Sequence, residues 1–351
     1  MSIRVLIADD SPTVVELLRE IISSDPQFEV VGTAGNGLAA VELCQTLRPD
    51  AITMDMMMPT MTGLEATEEI MAYCPTPILV VSSSFNRGEI FKTYDALTAG
   101  ALDVLEKPTG AEPAGEWERR LLSALRVISR VRVITHLKAR HKTNVRPDSR
   151  AARPSSAGAV EVIAIGASTG GPAAAVEVIR PLPIDLQVPV LLVLHLNAQF
   201  SHAFADWLET QSLWPARFVR DGEVLDDGRG IVLLAPPDRH LVLRGGELRL
   251  IDTPERHSCR PSIDVLFESL AAEMGPSIAA TLLTGMGRDG AGGLLAIRRA
   301  GGETIAQDEA TSVVYGMPRE AAAIGGAKQI LPLDEIGPAL ARIVRPAWAP
   351  A

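Results

Sequence analysis

The chain has 351 residues, 47% of them apolar and 22% charged, with a formal net charge of −10. This length favours two domains, and the acidity argues against nucleic acid as the main partner, because phosphate binding requires a concentrated basic face. No apolar run reaches the roughly 18 residues of a membrane span, the N-terminus lacks a signal-peptide pattern, and the three cysteines show no CxxC spacing. We therefore expect a cytoplasmic protein without a disulfide framework.

The first third of the chain alternates short apolar segments with amphipathic ones. Strands are predicted at residues 3–8, 29–33, 51–54, 78–81 and 101–105. Helices are predicted near residues 13–22, 37–47, 62–71 and 89–99. Strict alternation of this kind predicts a doubly wound parallel sheet, in which ligands bind beyond the carboxyl ends of the strands.

Polar residues stand at those strand ends. Asp9 and Asp10 end the first predicted strand, Asp55 the third and Ser82 the fourth, and Lys107 follows the fifth. Carboxylates that meet at one point need a cation, and ligands that are all oxygens favour Mg²⁺. A nearby lysine and hydroxyl suit a phosphoryl group, so the set predicts an acyl-phosphate site with Asp55 as nucleophile. A simpler alternative is that the acidic residues are solvated caps of the strand ends. That alternative does not explain why five polar residues of these types all stand at the ends of predicted strands.

Residues 1–109 resemble a response-regulator receiver domain. The matching motifs are Asp9-Asp10, Asp55-Met-Met-Met-Pro59, Gly63, Ser82 and Lys107-Pro108. The resemblance implies that Asp55 takes phosphate from a histidine kinase and that Ser82 and Lys107 contact the phosphate. The ligands implied for Mg²⁺ are Asp9, Asp10, Asp55 and the carbonyl of Met57. The sequence departs from the family at Val104, where an aromatic residue that rotates on phosphorylation often stands.

Residues 117–137 have helical periodicity, which predicts that the last helix of this domain continues beyond it. Residues 138–158 lose that periodicity and are rich in Arg, Lys, Ser, Ala and Pro, a composition typical of a flexible linker. Its basic cluster could contact nucleic acid or an acidic surface, but a solvated tether explains it more simply. We expect a receiver domain at 1–125, a helical extension and linker at 126–158, and a second domain at 159–347.

The second domain opens with a β-branched apolar run at 160–165, which predicts a buried strand. The run ends in the turn Gly166-Ala-Ser168-Thr-Gly-Gly171, and a helical stretch follows at 173–179. Ser168 thus stands on a glycine-rich turn between strand and helix, where a substrate can approach closely and free N–H groups can stabilise negative charge. The turn alone fits a nucleophilic serine and a helix-capping serine equally well.

Two further predicted strands end in chemically active residues. His195 ends the strand at 188–194, and the strand at 278–284 leads into a glycine-rich loop that contains Asp289. Considered alone, His195 could be a buried neutral histidine and Asp289 could be a helix N-cap. In a parallel sheet, however, the ends that carry Ser168, His195 and Asp289 share one edge, so together they predict a nucleophile, a base and an orienting carboxylate. Backbone amides after Ser168 and in the 285–287 loop would form an oxyanion hole.

The other segments of this domain complete an α/β pattern. Helices are predicted at 201–208, 262–273 and 335–343, a strand at 302–306, and a β-rich section with glycine turns at 231–251. The motif Gly166-x-Ser168-x-Gly170 also occurs in the nucleophile elbow of α/β-hydrolases. There the acid precedes the histidine, whereas here the order is Ser, His, Asp, which argues against that fold.

The order and the loops instead resemble the CheB family, the chemoreceptor protein-glutamate methylesterases of bacterial chemotaxis. The matching stretches are 165–171, His195, 235–240, 260–267, 283–290, 305–308 and 315–320. The resemblance implies two doubly wound, mainly parallel α/β domains: a (βα)5 receiver and a larger Rossmann-like methylesterase domain with a β-hairpin insertion. It also implies hydrolysis of γ-glutamyl methyl esters on the cytoplasmic helices of chemoreceptors, and in some members deamidation of receptor glutamines.

The resemblance assigns a role to each site residue. Ser168 would attack, His195 would act as base and then acid, and Asp289 would orient His195. The amides of Thr169 and Met286 would bind the oxyanion, and the esterase step would need no cofactor.

Two departures from the family concern the substrate groove. His195 is followed by Leu196-Asn197 where the family usually has Met-Pro, and two residues separate His257 from Arg260 where some relatives have none. Cys259, in that second loop, lacks a glycine-rich turn and is not expected to be the nucleophile.

A receiver joined to a hydrolase predicts a gate. We expect the unphosphorylated receiver to cover Ser168 and phosphate on Asp55 to move the receiver away. Phosphorylation can do this only if the phosphate interacts more favourably with the uncovered state than with the covered one. The alternatives are a regulated serine esterase that serves another target and a non-catalytic response regulator that only binds partners.

Overall fold

The structure, a computed structural model, describes residues 2–83, 87–108, 110, 113–131, 133, 160–183, 185–196 and 198–344. The chain divides into two compact units, Met1–Val145 and Arg146–Ala351. The predicted linker at 138–158 and Asn197 lie outside the described residues, and the domain boundaries given above stay predictions. Within the described ranges, no helix is both long enough and apolar enough to cross a membrane.

The first unit is a five-stranded parallel sheet whose strands alternate with helices. Its strands are β1 (Ile3–Ala8), β2 (Phe28–Ala34), β3 (Ala51–Met54), β4 (Ile78–Ser82) and β5 (Asp103–Glu106). Its helices are α1 (Pro12–Ser24), α2 (Gly37–Leu47), α3 (Gly63–Tyr73), α4 (Arg87–Ala99) and α5 (Glu116–Ile128). The strand order is β2-β1-β3-β4-β5, and β3 and β4 are buried along their whole length, as expected for strands covered on both faces. The doubly wound receiver fold predicted from the alternation is confirmed.

Helix α5 is fastened to this unit at both ends. The indole N–H of Trp117 donates a hydrogen bond to the Glu106 carbonyl at 2.6 Å, and Arg126 lies 2.9 Å from the Asp25 carboxylate. The helix ends at Ile128, so the predicted continuation is wrong for residues 129–131. The Ser129 hydroxyl donates to the Arg126 carbonyl at 3.2 Å, a local hydrogen bond that competes with helix continuation.

The second unit contains a seven-stranded parallel sheet and a smaller antiparallel one. Its strands are β6 (Val162–Ala167), β7 (Val190–Leu194), β8 (Ala216–Phe218), β9 (Glu223–Val224), β10 (Val232–Leu234), β11 (His240–Arg244), β12 (Glu247–Ile251), β13 (Ile278–Leu282), β14 (Glu303–Gln307) and β15 (Gln329–Leu331). Its helices are α6 (Gly171–Ile179), α7 (Ala198–Ser212), α8 (Ile263–Met274), α9 (Ala291–Arg299), α10 (Met317–Ala323) and α11 (Leu333–Val344). The parallel sheet has the order β15-β14-β13-β6-β7-β10-β8, and the small sheet has the order β11-β12-β9. This confirms the larger parallel α/β domain.

The predicted hairpin insertion is β11 and β12. These strands pair antiparallel through Gly245 and Gly246, whose φ angles of 60° and 78° suit a two-residue hairpin turn. Residues 231–234 were predicted as part of the same β-rich section, but they form β10, which joins the parallel sheet between β7 and β8. The physical reason is that all three residues of β10 are buried, whereas a hairpin with one solvated face would alternate.

The candidate catalytic residues follow strands that are neighbours in the large sheet. β13, β6 and β7 lie side by side, and their ladders continue past the strand ends. The Ser168 N–H donates to the Thr284 carbonyl at 3.0 Å, and the His195 N–H donates to the Ala167 carbonyl at 3.1 Å. The serine turn, the histidine and the loop after β13 therefore meet at one edge.

Candidate active site

The predicted phosphoacceptor residues lie at the carboxyl edge of the first sheet. Asp9 and Asp55 are buried and Asp10 is exposed, and one carboxylate oxygen of each lies within 4.8 Å of the other two. Lys107 Nζ lies 2.7 Å from Asp9 Oδ2 and 3.1 Å from Asp55 Oδ1. Ser82 is buried at the end of β4, and its carbonyl accepts the Lys107 N–H at 3.0 Å. The structure thus places all five strand-end residues at one edge.

The donor set at this edge fits a hard divalent cation. Three carboxylates face the single positive charge of Lys107, and all the candidate side-chain ligand atoms are oxygens, which Mg²⁺ prefers. Burial raises the pKa of Asp55 and the carboxylates of Asp9 and Asp10 raise it further, although Lys107 acts in the opposite direction. The carbonyl of Met57 accepts no hydrogen bond from the described residues, so it too is open to a ligand.

The loop after Asp55 requires glycine at position 63. A Cβ on Gly63 would lie 2.0 Å from the carbonyl oxygen of Asp55, so any side chain would force the phosphoacceptor loop to move. Helix α3 begins at this point with a capping box between Thr62 and Glu65. The glycine and the cap together fix the backbone that follows Asp55.

The second site combines a serine, a histidine and an aspartate. Asp289 Oδ2 lies 3.0 Å from His195 Nε2. Ser168 packs against the loop after β13, because a Cβ on Gly285 would lie 2.7 Å from Ser168 Cβ. Only glycine at 285 allows that approach. Among the described residues, no hydrogen bond joins Ser168 Oγ to the His195 ring, whose second nitrogen, Nδ1, faces Cys259 Sγ at 3.6 Å.

Asp289 is held by the start of helix α8 as well as by His195. The Ser262 hydroxyl donates to Asp289 Oδ1 at 2.7 Å, the Ile263 N–H donates to Oδ2 at 2.7 Å, and the Asp264 N–H donates to Oδ1 at 3.2 Å. Burial opposes ionisation of this carboxyl, yet the hydrogen bonds from His195, Ser262 and the Ile263 amide lower its pKa. Asp289 is therefore an ionised, immobilised carboxylate at a helix N-terminus, which anchors the imidazole at Nε2.

The environment of His195 favours its protonated form. Burial acts against the imidazolium, but the hydrogen bonds with Asp289 and Cys259 outweigh it and raise the pKa of His195 to about 9. The ring carries a lone pair for proton transfer only after it loses this proton. In the free protein, His195 can therefore accept a proton fully only under alkaline conditions.

Thr284 connects the loops that surround Ser168. Its hydroxyl donates to the Thr169 carbonyl at 3.0 Å and accepts the Val314 N–H at 2.9 Å. Its own N–H donates to the side-chain oxygen of the buried Gln307 at 2.7 Å. These contacts fix the serine turn relative to the loop that carries Met286. The Met286 N–H has no acceptor among the described residues, so it is available to a developing oxyanion, as the sequence analysis proposes.

Ser262, Thr284 and Gln307 were not predicted as supporting residues from the sequence, and neither was the approach of Cys259 to His195. Thr284 and Gln307 are polar residues at the ends of apolar strands, the same signal that identified His195. Ser262 and Cys259 carry no such signal, because their contacts depend on how the loop before α8 folds onto β7 and β13.

Taken together, the two sheets and their sites define a receiver domain joined to an α/β domain of the serine-hydrolase class. The family model for the CheB methylesterase matches residues 163–340, and the model for the response regulator receiver domain matches residues 5–113. The chain is 45% identical to protein-glutamate methylesterase/protein-glutamine glutaminase 2 of Anaeromyxobacter dehalogenans over 98% of this chain and 97% of that protein. It is 39% identical to the protein of the corresponding name from Nitrosospira multiformis, with 97% of each chain covered.

A solved structure is similar in fold to the second unit. The crystal structure of the Thermotoga maritima CheB methylesterase catalytic domain is similar with a TM-score of 0.50 and 32% sequence identity, covering 53% of this chain and 99% of that one. The chain belongs to the CheB methylesterase family and is a carboxylic ester hydrolase with a receiver domain.

Proposed function

We propose that this chain is a phosphorylation-regulated protein-glutamate methylesterase that hydrolyses γ-methyl esters on chemoreceptors. The observation that supports it most is the 3.0 Å contact between Asp289 and His195 beside a serine on a glycine-rich turn. The names of the relatives, which pair methylesterase with glutaminase activity, favour the same substrates, glutamate esters and glutamine amides.

In the mechanism that we propose, Ser168 Oγ attacks the ester carbonyl carbon while His195 takes the hydroxyl proton. Since Nε2 is occupied by Asp289, the proton goes to Nδ1, which must turn from Cys259 towards the serine; such contacts often tighten only when substrate binds. The amides of Thr169 and Met286 would stabilise the oxyanion, a contribution of about 3 kcal/mol per donor in comparable enzymes.

The tetrahedral intermediate then collapses to an acyl-enzyme. His195 returns its proton to the departing methoxide, and methanol leaves. Water, activated by the same imidazole, attacks the acyl-enzyme and releases the glutamate side chain and Ser168. With a glutamine substrate the leaving group is ammonia and the remaining steps are the same.

For the receiver we propose Asp55 as the residue that accepts phosphate from a histidine kinase. Asp9, Asp10, Asp55 and the Met57 carbonyl would hold Mg²⁺, which when bound neutralises charge on the incoming phosphoryl group. Lys107 would pair with the phosphate in place of the Asp9 and Asp55 carboxylates, and Ser82 would donate a hydrogen bond to it. Because Val104 stands where many receivers carry an aromatic, we infer that the signal passes through another part of the receiver surface.

The test is methanol release from membranes that contain methylated chemoreceptors, with and without a small phosphodonor and Mg²⁺. We expect release that rises with phosphodonor, disappears in Ser168→Ala and loses its activation in Asp55→Ala. Turnover of small esters but not of receptors would favour an esterase with another target. Absence of all turnover, with Asp55 still phosphorylated, would favour a non-catalytic regulator.

A further inference from the structure

Cys259 and His195 form a thiol–imidazole pair that ester hydrolysis does not use. Cys259 Sγ lies 3.6 Å from His195 Nδ1, and both residues are only partly buried. We propose that this pair is a binding site for a thiophilic divalent cation such as Zn²⁺, which reversibly blocks the esterase.

The distance between the two donor atoms matches one zinc ion. Zinc binds a histidine nitrogen at about 2.0–2.1 Å and a thiolate at about 2.3 Å, and at a tetrahedral angle of roughly 109° these lengths place the donors about 3.5–3.6 Å apart. The observed separation of Sγ and Nδ1 is 3.6 Å. Both atoms can therefore bind one ion with little movement of either side chain.

Asp289 prepares the imidazole for this role. Its carboxylate accepts a hydrogen bond from the Nε2–H of His195, so in the neutral ring the proton stays on Nε2 and the lone pair of Nδ1 points towards Cys259. A carboxylate behind a metal-binding histidine fixes the ring and increases its basicity as a ligand. In the metal site, His195 would thus bind the ion directly and Asp289 would support it from behind.

The loop that carries Cys259 is rigidly closed. Arg256 and Cys259 exchange backbone hydrogen bonds of 3.2 and 2.9 Å, with His257 and Ser258 at φ of 54° and 60° between them. The Arg256 guanidinium binds the Glu268 carboxylate through two contacts of 2.6 and 2.7 Å, which ties the loop to α8. A ligand on such a loop loses little freedom when it binds an ion.

Among the residues that the structure describes, the groups around Cys259 and His195 leave these two as the protein ligands. The ring of His257 is occupied on both sides, by Asp264 at 3.1 Å and by the Arg288 guanidinium at 3.3 Å. Both oxygens of Asp289 already accept hydrogen bonds. Water would complete the coordination, so binding should be reversible and removable by a chelator, unlike that of a structural zinc with four protein ligands.

Binding requires no redox step. The thiol and the imidazolium each release a proton to solvent as the S–metal and N–metal bonds form, so the metal binds the thiolate and the Nδ1 lone pair of the neutral ring. The inhibition rests on the proposed function, because that lone pair is the one expected to accept the Ser168 proton. Metal binding by Cys259 and His195 does not depend on the proposed function.

The test uses the full-length Ser168→Ala protein, which keeps both ligands, under reducing conditions with excess Mg²⁺ to occupy the acidic site of the first unit. Titration with Co²⁺ should produce the near-ultraviolet sulfur-to-cobalt charge-transfer band of a thiolate ligand, and Zn²⁺ should then remove it. The band should be absent when the Ser168→Ala protein also carries Cys259→Ser or Cys259→Ala. It should persist with His257→Gln, the matched control in the same loop.

A second measurement follows the consequence for turnover. Zn²⁺ should inhibit methanol release by the wild-type protein, a chelator should restore it, and Cys259→Ser should need at least about tenfold more Zn²⁺ for half inhibition. No cobalt band, or a band that survives both Cys259 substitutions in proteins with an unchanged circular dichroism spectrum, would overturn the proposal. Because the band needs no turnover, it decides the metal site even if the esterase activity itself is not found.

Discussion

Asp289 Oδ2 lies 3.0 Å from His195 Nε2, so in the proposed mechanism Nδ1 is the ring nitrogen that exchanges protons with Ser168. The same carboxylate accepts hydrogen bonds from Ser262 and from the first amides of α8. The position of the base is therefore set by a helix that contributes none of the three candidate catalytic side chains.

Asp289→Asn tests this arrangement. The amide keeps the size of the side chain but carries no charge, so it stabilises neither the correct tautomer nor the imidazolium, and we expect kcat to fall roughly 10³–10⁴-fold. The measurement is methanol release at saturating substrate. Asp264→Asn is the matched control, since Asp264 is a buried neighbour that contacts His257 rather than His195; an equal loss in both variants would contradict the assigned role.

The pH dependence of kcat/KM tests the environment of His195. Its pKa of about 9 lies above the usual value for a histidine, and the protonated ring cannot accept a proton. We therefore expect kcat/KM to rise about tenfold per pH unit below 9 and to level off above it.

Cys259→Ala removes one of the two hydrogen bonds that raise this pKa, so the midpoint should move to lower pH. The profiles are recorded with a chelator present, so that trace metal does not contribute. A midpoint near the ordinary pKa of histidine would contradict the raised pKa of His195. A raised midpoint that does not respond to Cys259→Ala would exclude the thiol as a cause of the raised pKa.

The sequence predicted the two sheets and the residues at their edges for one physical reason. A buried parallel strand is a short apolar run, and a polar residue directly after it stands out, as Asp55 and His195 do. The two α/β domains are confirmed as predicted. Strands β8, β9 and β15 were missed, because segments of two or three residues such as Ala-Arg-Phe, Glu-Val or Gln-Ile-Leu are too short to show a periodic pattern.

The contacts between loops could not be predicted in this way. The hydrogen bonds of Asp289 with Ser262 and of Thr284 with Thr169 join residues that are 27 and 115 positions apart. They arise from the order in which the strands pack, which no local pattern encodes. The approach of Cys259 to His195 depends on the conformation of its loop in the same way.

Gly63→Ala tests the loop after the phosphoacceptor. The added Cβ would lie 2.0 Å from the Asp55 carbonyl oxygen, so we expect a loss of about 1–3 kcal/mol in the free energy of unfolding together with slower phosphorylation of Asp55. Urea denaturation and phosphodonor labelling measure the two effects. Gly35→Ala, which would meet no atom within 4 Å, is the control; equal stability of the two variants would contradict the close approach.

A fragment spanning residues 160–351 tests the proposed gate. If the unphosphorylated receiver covers Ser168, the fragment should release methanol without phosphodonor, faster than the unphosphorylated full chain. A family member's catalytic domain has been solved as a separate chain, so we expect the fragment to fold. A folded fragment that is no faster than the unphosphorylated full chain would rule out an inhibitory receiver.

Thr284→Val tests whether the loops around Ser168 must be held together for catalysis. Valine keeps the shape of the side chain but leaves the Val314 N–H without its acceptor, which should cost about 1–3 kcal/mol in the free energy of unfolding and lower kcat more than it raises KM.

Thr304→Val is the control, because the buried Thr304 hydroxyl also bridges two backbone groups, donating to the Gly326 carbonyl at 2.8 Å and accepting the Lys328 N–H at 3.0 Å. The Lys328 N–H keeps a second acceptor, the Thr304 carbonyl at 3.0 Å, so this variant should lose less stability than Thr284→Val, with kcat unchanged. Thr284→Ser, which restores the hydroxyl, should recover most of kcat. A parallel fall of kcat in both valine variants would mean that Thr284 contributes to stability alone.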